Sequence, residues 1–272
     1  MNQNPEPCGS AGHISLYVKN GADESMIGIL EKKLKVHALY DIPCPPQGGS
    51  YLVADTDGIA LAENGHLLRG DFAGLLSRLT PHNLNHELLI KASRIKGLKT
   101  ELTAIDATAG LGEDALLLAA AGFHVQLYER NPIIAALLYD ALHRAGKNPE
   151  LSPMIHRMEL HMEDSIAALP QLGFSPDIVL LDPMFPPRHK SGLIRKKFQM
   201  LHQLELPCSE EDILLRAAIS CHPRKIVIKR PLKGPYLAGI KPGYSLKGRA
   251  IRYDCIVVPR PFSKEQTDGP MP

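Results

Sequence analysis

Between Leu102 and Val258, short apolar runs alternate with stretches whose apolar residues recur at helical spacing. The runs predict strands at 102–106, 124–129, 155–161, 177–182 and 225–229. The last two are nearly continuous apolar segments, the pattern of a sheet buried on both faces. Helices are predicted at 114–121 and from Pro132, whose missing N–H costs nothing at a first helical position, to a stop at Gly146. Ser209 with Asp212 three residues later opens another helix with capping-box logic, Asp standing in for the usual Glu. Residues 244–246 and 251–258, around Lys247-Gly248-Arg249, form a closing antiparallel hairpin. Strands alternating with helices imply a parallel, doubly wound sheet. The first hundred residues carry weaker signals. They suggest a short helix at 26–34, a hairpin pairing 51–54 with 59–62, and a helix at 83–95 with Leu84, Leu88 and Leu89 on one side. This change of texture divides the chain into a small α+β domain (1–98), a main α/β domain (99–262) and a polar tail (263–272).

Composition narrows the class. At 272 residues and 44% hydrophobic content the chain can bury a substantial core. The cysteines (Cys8, Cys44, Cys208, Cys221, Cys255) are scattered, with no C-x-x-C pair and no His at zinc spacing, so no metal is expected. Their odd count points to reduced thiols in the cytoplasm. The polar, Pro-rich N-terminus is no signal peptide, and no apolar stretch reaches the length of a membrane span. A net charge of +2 hides an asymmetry: from Phe185 to Lys264 there are 17 Lys and Arg against 5 Asp and Glu, so the remainder carries −10. The basic last third suggests a polyanionic partner.

Two segments carry the chemistry. Asp106-Ala-Thr-Ala-Gly110-Leu-Gly112-Glu113-Asp114-Ala115 satisfies G-x-G-x-x-A, and Glu129 follows the next strand where a ribose-binding acid belongs. A pyrophosphate on a helix N-terminus needs N–H groups undiluted by carboxylates. Asp106, Glu113 and Asp114 would repel it, and they suit the sulfonium and ammonium of S-adenosylmethionine. Asp164, after the third strand, can meet the adenine amine with Ser165 beside it, or it can cap the next helix. In the second segment, Asp182-Pro183-Met184-Phe185-Pro186 ends a central strand. The Asp182 carboxylate and the Pro183 carbonyl can accept both hydrogens of an exocyclic amine, whose lone pair is delocalised, while Phe185 stacks on the base. Orientation and electrostatics would supply most of the catalysis. Arg188 and Lys190 follow directly and Lys229-Arg230 end the fifth strand, so these four are expected to hold RNA phosphates around a base swung out of its stack.

These residues resemble the bacterial ribosomal RNA small-subunit methyltransferase J family. The similar segments are Asp106 to Ala115, Leu127-Tyr-Glu-Arg-Asn-Pro-Ile-Ile-Ala-Ala-Leu137, Leu181 to Pro186 with Lys190-Ser191, and Val227-Ile-Lys-Arg-Pro231. D-P-M-F-P is the most specific, since many amine methyltransferases have a second proline in place of Met184. The resemblance implies a Rossmann-like class I methyltransferase with a seven-stranded sheet. It implies cytoplasmic methylation of one guanine N2 in 16S ribosomal RNA, free or in a 30S particle, with cofactor contacts at Glu113-Asp114, Glu129-Arg130, Asp164-Ser165 and Asp182. The N-terminal third matches less well, and residues 76–86 replace a basic, glycine-rich stretch; this part is expected to help present RNA. Three other readings stay open: an adenine-N6 or DNA amine methyltransferase, an NAD(P)-dependent oxidoreductase on the same glycine motif, and a nucleic-acid-binding module that no longer catalyses.

Overall fold

The computed structural model describes residues 14–34, 36–42, 50–63, 65–95, 97, 101–183 and 210–259. The first part is a five-stranded sheet in the order β2-β1-β3-β4-β5. It is built from β1 (Ile14–Val18), helix α1 (Glu24–Leu34), β2 (Val36–Tyr40), β3 (Ser50–Asp55), β4 (Gly58–Glu63) and β5 (His66–Leu68). β1 pairs in parallel with β2 and β3, and the expected β3–β4 hairpin is antiparallel in the register Leu52↔Leu61. Helices α2 (Leu76–Leu79), α3 (Pro81–His86) and α4 (Leu88–Ser93) follow. The single helix expected over 83–95 is therefore two. Glu87 breaks it with extended backbone (φ −60, ψ 130), and Arg78 holds its carboxylate through Nε at 2.7 Å and Nη2 at 3.0 Å.

The second sheet has seven strands in the order β11-β12-β10-β9-β6-β7-β8. In chain order it comprises β6 (Leu102–Asp106), α5 (Glu113–Ala120), β7 (Phe123–Tyr128), α6 (Pro132–Gly146), α7 (Ser152–Ile155), β8 (Met158–His161), α8 (Ser165–Ala168), β9 (Ile178–Leu181), α9 (Glu211–Ser220), β10 (Lys225–Pro231), β11 (Tyr244–Lys247) and β12 (Ile251–Val257). All pairings among β6–β10 are parallel, and the β11–β12 hairpin adds antiparallel to β10. Asn131 caps α6, its Oδ1 accepting from the N–H of Ile133 (3.0 Å) and Ile134 (3.3 Å), with Pro132 next. Three details differ from expectation. The strand expected from 155 starts at Met158, because Pro153 helps open α7 and its turn is closed by His156 N–H donating to Ser152 O. Gly146 is the last helical residue and has no left-handed φ. The residue capping α9 is Glu210, without a side-chain cap bond; Ser209 lies outside the described residues.

Successive residues of β9 face opposite ways, as an apolar run in a covered sheet demands. Ile178 and Leu180 pack with Leu89, Leu116 and Leu117, while Val179 and Leu181 pack with Leu214 and Leu215 of α9. Helix α6 is apolar nearly all round because both sheets use it. Ile133, Ile134 and Leu137 meet Leu16, Leu52 and Leu61 of the first sheet, and Leu138, Ala141 and Leu142 join the core of the second. Helices α3 and α4 belong to that second core through Leu84, Leu89, Ile90 and Ala92, and Leu76 and Leu79 of α2 pack against it. The packing thus runs across the expected division at residue 98 and sets the carboxyl ends of β6 and β9 side by side.

Candidate methyl-transfer site

β6 and β9 are neighbours, whereas the helices that follow them lie on opposite faces of the sheet. Their carboxyl ends therefore open a crevice at the point where strand order reverses. The loop from Ala107 to Gly112 lines it. Ala107 N–H donates to Leu180 O and Ala109 N–H to Tyr128 O, each at 3.0 Å, pinning the loop to both adjacent strands. Gly110 (φ +54) and Gly112 (φ +76) are left-handed, and a Cβ on Gly112 would lie 2.7 Å from Leu138 Cδ1. Glu129, 6% exposed, binds the loop with both oxygens: Oε2 accepts from Gly110 N–H (2.9 Å) and Oε1 from Asn131 N–H (2.7 Å). Burial pushes its carboxyl up to about 7 against these N–H groups. Ser165 Oγ donates to Ala107 O at 2.7 Å, and Asp164 caps α8 by accepting from Ile166 N–H at 2.9 Å. Arg130 reaches both Asp164 and Glu210 at 3.4 Å. The expected cofactor residues are thus collected around one loop.

The clamp meets this loop through two contacts. Asp182 N–H donates to Thr108 Oγ1 at 2.7 Å. Lys229 Nζ pairs with Asp182 Oδ2 at 2.9 Å and donates to Asp114 Oδ2 at 2.7 Å. Although burial works against its charge, the two carboxylates hold the Lys229 ammonium well above the usual lysine range. Burial pushes the Asp182 carboxyl up, with Lys229 opposing and Asp114 adding to the rise. Asp106, 2% exposed beneath the loop, is pushed up to about 8 by burial and then by Asp114. Glu113 is half-buried at the start of α5, and Pro183 is buried beside Asp182. Phe185, Arg188 and Lys190 lie outside the described residues.

Two expected phosphate contacts are corrected. Lys229 is engaged by two carboxylates within the crevice, so its ammonium does not face a phosphate. Arg230 is 1% exposed. It donates through Nη1 to Glu211 Oε1 and through Nε to Pro235 O, both at 3.0 Å, beneath the surface on the α9 side. Sequence reasoning also missed Thr108, whose partner is 74 positions away, and Tyr253, which stands opposite Lys229 in the β10–β12 register. It missed Arg252 as well. That buried guanidinium donates to the carbonyls of Pro231, Leu232, Gly234 and Pro235 and fixes the segment leaving β10. The hairpin register is the one sequence signal that points to Tyr253.

The donor set discriminates between cofactors. Asp106, Glu113, Asp114, Glu129, Asp164 and Asp182 surround the loop, while Lys229 and Arg130 are both already paired with carboxylates. A pyrophosphate would meet net negative charge there, whereas a sulfonium and an ammonium fit it. A Cβ on Gly112 would run into Leu138 and Phe72, so this glycine lets the loop pack closely against the core beneath it. Among the described residues there is no cluster of three or more potential metal ligands, and no helix is long and apolar enough to cross a membrane.

Comparison with known proteins agrees with this geometry. A family model described as "Putative SAM-dependent methyltransferase" matches residues 37–258. A ribosomal RNA small subunit methyltransferase J from Marinobacter nauticus is 38% identical over 76% of this chain and 77% of its own. One of the same name from Neisseria meningitidis is 34% identical over 88% and 95%. The crystal structure of a SAM-dependent methyltransferase from Neisseria gonorrhoeae superposes with a TM-score of 0.73 at 30% identity, covering 94% of this chain and all of the other.

Proposed function

The chain belongs to the ribosomal RNA small subunit methyltransferase J family of S-adenosylmethionine-dependent enzymes, and from that premise we propose that it methylates the exocyclic N2 amine of a guanine in small-subunit ribosomal RNA. The observation that carries this reading is the Asp182-Pro183 corner. It is tied through Thr108 to the glycine loop, at the one edge of the sheet where cofactor and substrate can meet. The acidic loop sets aside the dinucleotide reading of the same glycines.

The loop from Ala107 to Gly112, with Glu113, Asp114, Glu129, Arg130, Asp164 and Ser165, would hold the cofactor, which when bound supplies an electrophilic methyl group. The protein's own work is orientation. Asp182 and the Pro183 carbonyl accept the two amine hydrogens and turn the nitrogen lone pair toward the methyl group. The same carboxylate stabilises the positive charge that develops on nitrogen and is the nearest acceptor for the departing proton. Phe185 stacks on the base, and Arg188 and Lys190 contact phosphates beside it. The substrate is ribosomal RNA or a 30S particle in the cytoplasm, and the first sheet helps to present it.

The test is transfer of labelled methyl from S-adenosylmethionine to ribosomal RNA and 30S particles from cells lacking this protein. Label should enter small-subunit RNA alone. Asp182→Ala should reduce the rate at least about a hundredfold while cofactor and RNA affinities persist. Label in neither substrate, or an Asp182→Ala variant of normal rate, would contradict the reading.

A further inference from the structure

Lys229 stands where the two halves of the site meet. Its strand, β10, lies beside β9, whose end carries Asp182, and its side chain crosses to Asp114 on the first turn of α5. The ammonium is largely buried, with its side chain 26% exposed and that of Asp114 17% exposed. Two carboxylates so close, and close to Asp106 as well, would repel one another without a cation between them. Among the described residues, the titratable groups that influence Asp182 come from the elements packed around it: Asp114 from α5, Asp106 from β6, Lys229 and Arg230 from β10, and the neutral Tyr253 phenol from β12. Arg230 is turned away toward Glu211, which leaves Lys229 as the cation in contact with Asp182 among the described residues.

The geometry also divides the labour between the Asp182 oxygens. Lys229 engages Oδ2, and no contact to Oδ1 is seen among the described residues, which makes Oδ1 the oxygen for a substrate amine. We propose that Lys229 is a positioning residue for methyl transfer, its ammonium bridging Asp114 of the cofactor loop to Asp182 of the amine clamp and keeping the clamp carboxylate aimed and charged. The inference rests on the amine-methylation reading for its role in turnover, but the bridge is a property of the protein alone. Lys229 opposes the rise that burial and Asp114 impose on Asp182, so its loss should move the ionisation of Asp182 to higher pH. Activity that needs the carboxylate then loses its acid limb at higher pH, not lower.

The experiment uses the full chain with Lys229→Met, Lys229→Arg and Asp114→Asn. Two quantities are followed: the 13C titration of the Asp182 carboxyl in the protein alone, assigned with Asp182→Asn, and the acid limb of kcat at saturating S-adenosylmethionine and small-subunit RNA. Lys229→Met should move both upward by about one pH unit or more. It should lower kcat at neutral pH about tenfold, with KM for RNA within about twofold. Lys229→Arg should restore the limb. Asp114→Asn should move the Asp182 titration the opposite way, because it removes a repelling carboxylate and leaves the Lys229 pair intact. A Lys229→Met protein whose Asp182 titration and acid limb match the parent would overturn the proposal. If that variant does not fold, an Asp114→Asn titration unchanged from the parent overturns it equally. Absence of methyl transfer by the parent protein would count against the methylation reading, while the carboxyl titration would still decide the role of Lys229.

Discussion

Gly110 and Gly112 share a motif but not a constraint. Both have left-handed backbone, yet a Cβ on Gly110 would meet nothing within 4 Å, whereas one on Gly112 would lie 2.7 Å from Leu138 Cδ1 and 3.2 Å from Phe72 Cζ. Gly110→Ala should therefore cost only the left-handed penalty, about 1–2 kcal/mol. Gly112→Ala should add an overpacking cost of about 1–3 kcal/mol. Urea midpoints of the two variants check this, and equal midpoints would contradict it. The acids of this loop were legible in the sequence because a carboxylate at a helix start after two glycines has a chemical meaning wherever the chain folds. Lys229 was not. A lysine at the end of a strand reads the same whether it reaches a phosphate or a carboxylate, and its partner Asp114 is 115 positions away. Only the convergence of α5, β9 and β10 tells the two apart.

Among the elements, β9 and β10 were legible because both of their faces are covered and their apolar runs stand out, and β6, β7 and the closing hairpin because their short apolar runs are set between helices or around a turn. The short strands β1, β2 and β5 were not. β2 has one buried residue in five and lies at the edge of its sheet, so packing leaves little trace in its pattern. The break at Glu87 was hidden for another reason: Leu84, Leu88 and Leu89 keep helical spacing across it, and the Arg78 contact that stabilises the extended residue is tertiary. The second of the two resulting helices, α4, is anchored from outside. Buried Lys225 donates to Ala92 O at 2.9 Å and to Arg94 O at 2.6 Å, closing carbonyls that the helix cannot satisfy itself. Lys225→Met should leave them unpaired and destabilise the protein by about 1–3 kcal/mol, read as a lowered urea midpoint. An unchanged midpoint would mean that α4 is held by its apolar face alone.

At the scale of the molecule, α6 is the shared wall. It closes the apolar cores of both sheets, and Arg144 reinforces the join: held by Asp140 Oδ2 at 2.8 Å on its own helix, it donates through Nη2 to Gly70 O just beyond β5. We propose that residues 99–262 do not fold alone, although their texture marks them off. Expressed by themselves they would expose the face of α6 that meets Leu16, Leu52 and Leu61, and would lose the cover of Leu84, Leu89 and Ile90. That fragment should show no cooperative unfolding transition, and a sharp one would make the first sheet a separate unit. The basic stretch after Phe185 and the acidic remainder give the whole chain two electrostatic characters, one suited to a polyanion and one to a cationic cofactor. The claim that joins them is amine methylation of ribosomal RNA, and the most direct measurement is the identity of the methylated nucleoside. Small-subunit RNA treated with the protein and S-adenosylmethionine, then digested and examined by mass spectrometry, should yield N2-methylguanosine from a single position. N6-methyladenosine, a base methylated on carbon, or methyl groups spread over many positions would contradict the account.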